Sequence, residues 1–286
     1  MLRTRLWMGA ILIALTVGVL ILDQWLGGWC PFLFVTVVTL AGLGCIELRK
    51  LLDSALRPPS WLCFLSVIGF VAINWIRPLG ELLGKSTDPW HAIVGLLAGI
   101  VLAAFLWEMA VFRKPGACVQ RMAIAAWMAG YLGLLPCFLI QLRWRTAGST
   151  AGETQLGSVA LALAIFVPKC CDTGAYFTGR LIGKHAMAPV LSPKKTWEGA
   201  VGGLVAAIAA SIGINRFGPV LHGIGTEAAF GLTVGIVAMM GDLAESLIKR
   251  DSGRKDASQA VPGFGGVLDI IDSILFASPV AYCWLA

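Results

Sequence analysis

Five stretches in the first half of this chain contain no Asp, Glu, Lys or Arg: 6–22, 24–46, 58–76, 89–107 and 122–142. They run for 17, 23, 19, 19 and 21 residues, and a helix needs about 20 apolar residues to cross the hydrocarbon of a bilayer. Only 13% of the 286 residues are charged and 58% are hydrophobic, where a soluble domain carries about 25% charge. That balance excludes a soluble globular enzyme, a disordered chain and a coiled coil. It also excludes a single anchor on a soluble head, because the apolar runs cover the whole length. The chain reads as an all-α, polytopic integral membrane protein.

The charge-free runs of the second half, 154–168, 199–215, 228–241 and 273–286, have 15, 17, 14 and 14 residues. They reach spanning length only by taking neighbouring charges into the helix ends. Nine transmembrane helices are therefore expected, at 6–23, 29–47, 60–76, 89–111, 121–142, 155–177, 197–215, 227–249 and 267–285. The first run, behind Arg3 and Arg5, is read as a spanning helix and not as a cleaved leader. With the N-terminus cytoplasmic, the inside segments hold 16 Lys and Arg and the outside segments five, with Lys169 within the sixth helix. This bias sets the orientation. The formal charge of +6 then belongs to loops facing anionic lipid, and no nucleic-acid partner is expected. The eight Cys form no CxxC pair and read as small packing residues; the three His are too scattered for a metal site.

Residues 1–150 read as a transmembrane scaffold of five helices, and residues 151–286 as a catalytic transmembrane domain of four. The largest loop, 178–196, is expected on the cytoplasmic side. Three clusters carry the chemistry. The first runs from Lys169 through Asp172 to Lys184 and the second from Ser192 through Lys194 and Lys195 to Gly203. The third is GDLAESLIKRDSGRKDASQAVPGFGGVLDIIDS, residues 241–273. On the eighth helix Asp242, Glu245, Ser246 and Lys249 share one face; on the ninth, Asp269 and Asp272 are three apart. Ionisable groups at membrane depth are costly and usually face a polar cavity. Converging carboxylates suit Mg²⁺, and Lys249, Arg250, Lys194 and Lys195 beside them suit a polyanionic substrate. Gly263, Gly265 and Gly266, just before a helix start, are expected to expose backbone amides to an anion. Taken singly, each cluster has a plainer reading: a structural ion pair, topology charges or a helix break. Their coincidence on one expected membrane side points to phosphoryl or nucleotidyl transfer at the membrane surface.

The runs SLIKRDSGRKD and PGFGGVLDIIDS, with DTGAYFTGR and SPKKTWEG upstream, resemble the signature of the phosphatidate cytidylyltransferase, or CDP-diacylglycerol synthase, family. The resemblance is specific over 169–273 and only hydropathic over 1–150. It implies transfer of the cytidylyl group of CTP to phosphatidate with release of pyrophosphate, for phospholipid synthesis, at the cytoplasmic side of the inner (plasma) membrane. Mg²⁺, with room for a second cation, is the implied cofactor, and a homodimer is consistent with the resemblance. Asp242, Asp269 and Asp272 would be metal ligands. Lys249, Arg250, Ser246, Ser192, Lys194 and Lys195 would contact phosphate; Lys255 and Asp256 match the signature's Lys-Asp pair, and Asp172 an upstream acidic position. Phe264 stands where the family pattern has His, and Ile270 where it has Arg. The alternative is a CTP-dependent polyprenol or lipid kinase, which would release CDP. A transporter with an intramembrane ion site is a rival from another class, weakened by the absence of a repeat between the halves.

Overall fold

The computed structural model describes residues 2–84, 88–145, 151–254, 257–258, 260–263 and 265–285. Helices α1 (Leu2–Trp25) and α2 (Pro31–Leu51) are followed by α3 (Ser60–Ile73), α4 (Ile76–Leu82), α5 (Pro89–Val111), α6 (Cys118–Met128) and α7 (Leu135–Arg145). The second half holds α8 (Ala151–Ile182), strands β1 (Ala186–Ala188) and β2 (Ser192–Thr196), then α9 (Trp197–Asn215), α10 (Ile224–Asp251) and α11 (Leu268–Leu285).

Among the described residues eight helices are long and apolar enough to cross a membrane, by length and composition. The third expected span is shorter: α3 has 14 residues, about 21 Å at 1.5 Å per residue. It passes through the turn residues Asn74 and Trp75 into α4. Pro78 has no N–H for the Asn74 carbonyl four residues before it, and the buried Asn74 amide donates to the carbonyls of Phe70 and Val71, competing with the regular ladder. The helix expected at 121–142 contains a π segment, Ala129–Leu134, between α6 and α7. The loop expected at 178–196 is corrected: α8 continues to Ile182, and β1 and β2 form an antiparallel hairpin. Glu198 on α9 closes that hairpin by accepting from the backbone N–H groups of Lys184 and His185 at 3.1 and 3.2 Å.

Helix starts follow local chemistry. Pro31 and Pro89 occupy first-turn positions, where their missing N–H costs nothing. Asp23 at the end of α1 accepts from the N–H groups of Phe32 and Leu33 at 3.1 and 2.7 Å. Thr196 caps α9 by accepting from Gly199 N at 3.1 Å. At this far end of α2, Trp75 and Trp144 donate their indole N–H to the carbonyls of Trp29 and Gly28. The core crosses the midpoint of the chain. Leu48, Val67, Leu132 and Ile140 share one apolar cluster with Leu161, Leu268 and Leu275. α11 packs on α2 and α7 as well as on α8 and α10.

Candidate active site

The C-terminal half of α10 and the N-terminal turns of α11 approach closely at Gly241, where an added Cβ would lie 2.7 Å from the Asp272 carbonyl oxygen. That approach sets Asp242 and Glu245 of α10 beside Asp272 of α11. One ligand atom from each of these three carboxylates lies within 4.8 Å of the others. Glu245 and Asp272 are deeply buried, at 1% and 3% exposure, and Asp242 is half-buried.

Three ammonium groups surround the carboxylates. Lys169 on α8, placed one residue after Pro168, lies 2.9 Å from Asp172 Oδ2 and 3.6 Å from Asp272 Oδ1. Ser273 Oγ donates to the same Asp172 oxygen at 2.8 Å. Lys195 reaches from β2 to Asp242 Oδ2 at 2.7 Å. Lys249 bridges Glu245 and Asp269, with its Nζ 2.6 Å from Asp269 Oδ1. Five carboxylates thus face three lysines, a formal excess of two negative charges. Glu245 Oε1 is buried without a hydrogen-bond partner among the described residues. A hard-oxygen donor set, that orphaned oxygen and that excess charge all fit a divalent cation.

The carboxylates that converge are not the trio expected as metal ligands. Asp242 and Asp272 come together as expected, but their third partner is Glu245. Asp269 is turned to Lys249 and, through Oδ2, accepts from Gly266 N at 2.6 Å. The glycine expectation is also corrected. Gly265 N donates to the Val261 carbonyl at 3.0 Å, Gly266 N to Asp269, and Val267 and Leu268 N to Glu47 at 3.0 and 2.9 Å. The start of α11 does bind an anion, and the anion is Glu47 of α2. Gly263 and Gly265 serve the turn, at φ 85° and 105°. A Cβ at Gly266 would lie 2.6 Å from Glu47 Oε2.

Glu47 is the residue that sequence reasoning passes over. It is 5% exposed and also accepts from Ser258 Oγ at 2.6 Å, so the segment before α11 hangs on the first half of the chain. Its signal was modest: one carboxylate ending the 24–46 apolar run. Lys169, an intramembrane lysine by sequence, sits among the carboxylates.

The remaining expected residues spread outward. Arg250 is exposed and donates to the Leu191 carbonyl at 3.2 Å and the Arg254 carbonyl at 3.4 Å, tying the hairpin to the end of α10. It does not join the carboxylates. Ser192 is half-buried and Lys194 exposed on β2; Ser246 is buried on α10. Lys255, Asp256 and Phe264 lie outside the described residues. Ile270 packs at the edge of the main apolar cluster.

Fold and site together define a multi-pass membrane protein with a buried carboxylate–lysine centre at one end of its helix bundle. The profile of the cytidylyltransferase family matches residues 3–286, and the chain belongs to that family. Over 254 residues, 89% of each chain, it is 28% identical to a phosphatidate cytidylyltransferase of Staphylococcus aureus. It is 33% identical over 203 residues to phosphatidate cytidylyltransferase 5, chloroplastic, of Arabidopsis thaliana, which covers 65% of this chain and 50% of that one. Over 112 residues it is 50% identical to the phosphatidate cytidylyltransferase of Haemophilus influenzae, covering 38% of this chain and 39% of that one. The chain spans about half the length of the Arabidopsis relatives it matches.

Proposed function

We propose that this chain is a phosphatidate cytidylyltransferase: CTP and phosphatidate give CDP-diacylglycerol and pyrophosphate. The observation that carries the reading is the group Asp242, Glu245 and Asp272 ringed by Lys169, Lys195 and Lys249, in a member of a cytidylyltransferase family. A phosphatidate phosphate oxygen attacks the α-phosphorus of CTP in line, and pyrophosphate leaves. The attacking oxygen is already anionic, so no protein nucleophile is needed, and the protein's task is positioning and charge neutralisation.

Asp242, Glu245 and Asp272 would hold Mg²⁺, which when bound supplies a positive centre for the phosphate oxygens. Asp269 keeps Lys249 aimed at Glu245. Lys194 on the open face of the hairpin, with Ser192 and Arg250 nearby, receives the triphosphate as it arrives. Lys195 and Lys169 hold the carboxylates Asp242, Asp172 and Asp272 in place. We place the site at the cytoplasmic side of the inner membrane, with the N-terminus inside. The charge bias of the loops supports this, as does the gathering of the ends of α2 and α10 and the starts of α9 and α11 around one centre.

The test is a detergent-micelle assay with phosphatidate, α-labelled CTP and Mg²⁺. Label entering the lipid phase with pyrophosphate released, and lost on adding EDTA, is the expected result. Label left in water as CDP, with a phosphorylated lipid formed from an added lipid alcohol, would replace the reading with a lipid kinase.

A further inference from the structure

The π segment Ala129–Leu134 carries Tyr131 into the bundle. Such segments are rare and frequent at functional sites. Tyr131 is 6% exposed. Its ring stacks on Trp127, centroids 5.9 Å apart, and meets Phe276 edge-on at 6.0 Å. Phe276 lies one helical turn beyond Asp272 on α11. Phe276 also packs at Gly241, where a Cβ added to the glycine would lie 2.8 Å from Phe276 Cβ, so the Tyr131 ring abuts the α10–α11 crossing that gathers the carboxylates. Among the described residues Tyr131 Oη has no hydrogen-bond partner, and neither has Glu245 Oε1. Buried polar atoms in folded proteins are overwhelmingly paired. Two unpaired buried oxygens from different helices, one in the carboxylate group and one beside the helix crossing that gathers it, mark a place built for something the chain itself does not supply.

We infer that Tyr131 is a positioning residue of the cation site: its hydroxyl oxygen accepts a hydrogen bond from water bound to the divalent cation held by Asp242, Glu245 and Asp272. This rests on the cation reading given under the proposed function and adds a residue from the first half of the chain. Mg²⁺ dehydrates reluctantly and keeps several waters. Water on a dication is a strong donor and needs acceptors. A neutral phenol provides one without adding negative charge to a group that already carries an excess. Partners that hold the ligands and waters of a metal typically contribute about 10–100-fold to its affinity.

The experiment uses the purified full chain in detergent, without nucleotide, and titrates Mn²⁺ while its free-ion electron paramagnetic resonance signal is followed. The parent protein is expected to bind Mn²⁺, Asp272→Asn to lose it, and Tyr131→Phe to bind at least about tenfold more weakly. The thermal unfolding temperature of Tyr131→Phe without metal should stay level or rise, since the variant removes an unpaired buried hydroxyl and keeps the ring on Trp127 and Phe276. A residue that served packing alone would move neither affinity nor the Mn²⁺-induced rise in unfolding temperature. Should Tyr131→Phe not fold, 3-fluorotyrosine at 131 keeps ring and hydroxyl but weakens the oxygen as an acceptor, and an intermediate loss of affinity is expected. Parent-like Mn²⁺ affinity in the variant that folds overturns the role of Tyr131 and leaves the cation site standing. No Mn²⁺ binding by the parent protein overturns both.

Discussion

Glu47 Oε2 accepts a hydrogen bond from the backbone N–H of Leu268 at 2.9 Å, joining the end of α2 to the first residue of α11. Its other oxygen takes Val267 N and Ser258 Oγ. A carboxylate at a helix N-terminus is favoured by the helix dipole, and here it fixes the helix that presents Asp269 and Asp272. Glu47→Ala leaves these donors buried without an acceptor, and we expect a loss of about 3 kcal/mol together with most of the turnover. Glu47→Gln retains one acceptor oxygen and should fall between. Thermal unfolding and label transfer, measured on the same preparations, check this; parent-like behaviour of the Ala variant in both would sink it.

Gly266→Ala should resemble Glu47→Ala. The new methyl would stand 2.6 Å from Glu47 Oε2 and 3.1 Å from Ala257 Cβ, so the carboxylate or the loop must move. A destabilisation of about 1–3 kcal/mol is expected from such crowding. Because both changes strike one contact, the double variant should lose less than the sum of the two singles, which a double-mutant cycle reads directly.

Asp272→Asn and Asp269→Asn should both abolish turnover while the protein still folds, for different reasons. Asp272 belongs to the carboxylate group that fits a cation; Asp269 holds Lys249 and the Gly266 amide. Mn²⁺ affinity should therefore vanish in Asp272→Asn and persist in Asp269→Asn. Equal loss in the two would return Asp269 to the ligand set.

Lys249→Met removes the cation between Glu245 and Asp269, whose side chains are 1% and 12% exposed. Breaking a buried pair from one side costs about 3–5 kcal/mol, so the variant should unfold well below the parent. Adding Glu245→Gln to it should recover part of that stability, as seen in the unfolding temperature, without recovering turnover.

The helices were legible because lipid leaves one strong mark, the long charge-free run, and α1, α2, α5, α9 and α11 sit where those runs lie. The faces of α10 and α11 were legible because residues three and four apart on a helix must stay together: Asp242, Glu245 and Lys249 do so. Their partners across the bundle were not legible. Nothing local in the sequence says that Glu47 meets Leu268, or that Lys195 meets Asp242. The glycines of PGFGG announced a tight backbone, yet whether their amides faced a substrate or a side chain depended on a carboxylate about 220 positions earlier. Tyr131 lay in a plain apolar run, and only a one-residue widening of the helix, the π segment, marks it in three dimensions.

The hairpin has a consequence for how sequences of this kind can vary. Lys195 turns inward to Asp242 while its neighbour Lys194 stays exposed, and the next residue, Thr196, is the cap of α9. The pairing of β1 with β2 shifts register between Ala186 and Ala188, so the inward lysine is held by its place directly before the helix cap and not by a regular strand. Related chains should accordingly keep the step from this lysine to the cap residue fixed and confine their length differences to the turn that joins β1 to β2.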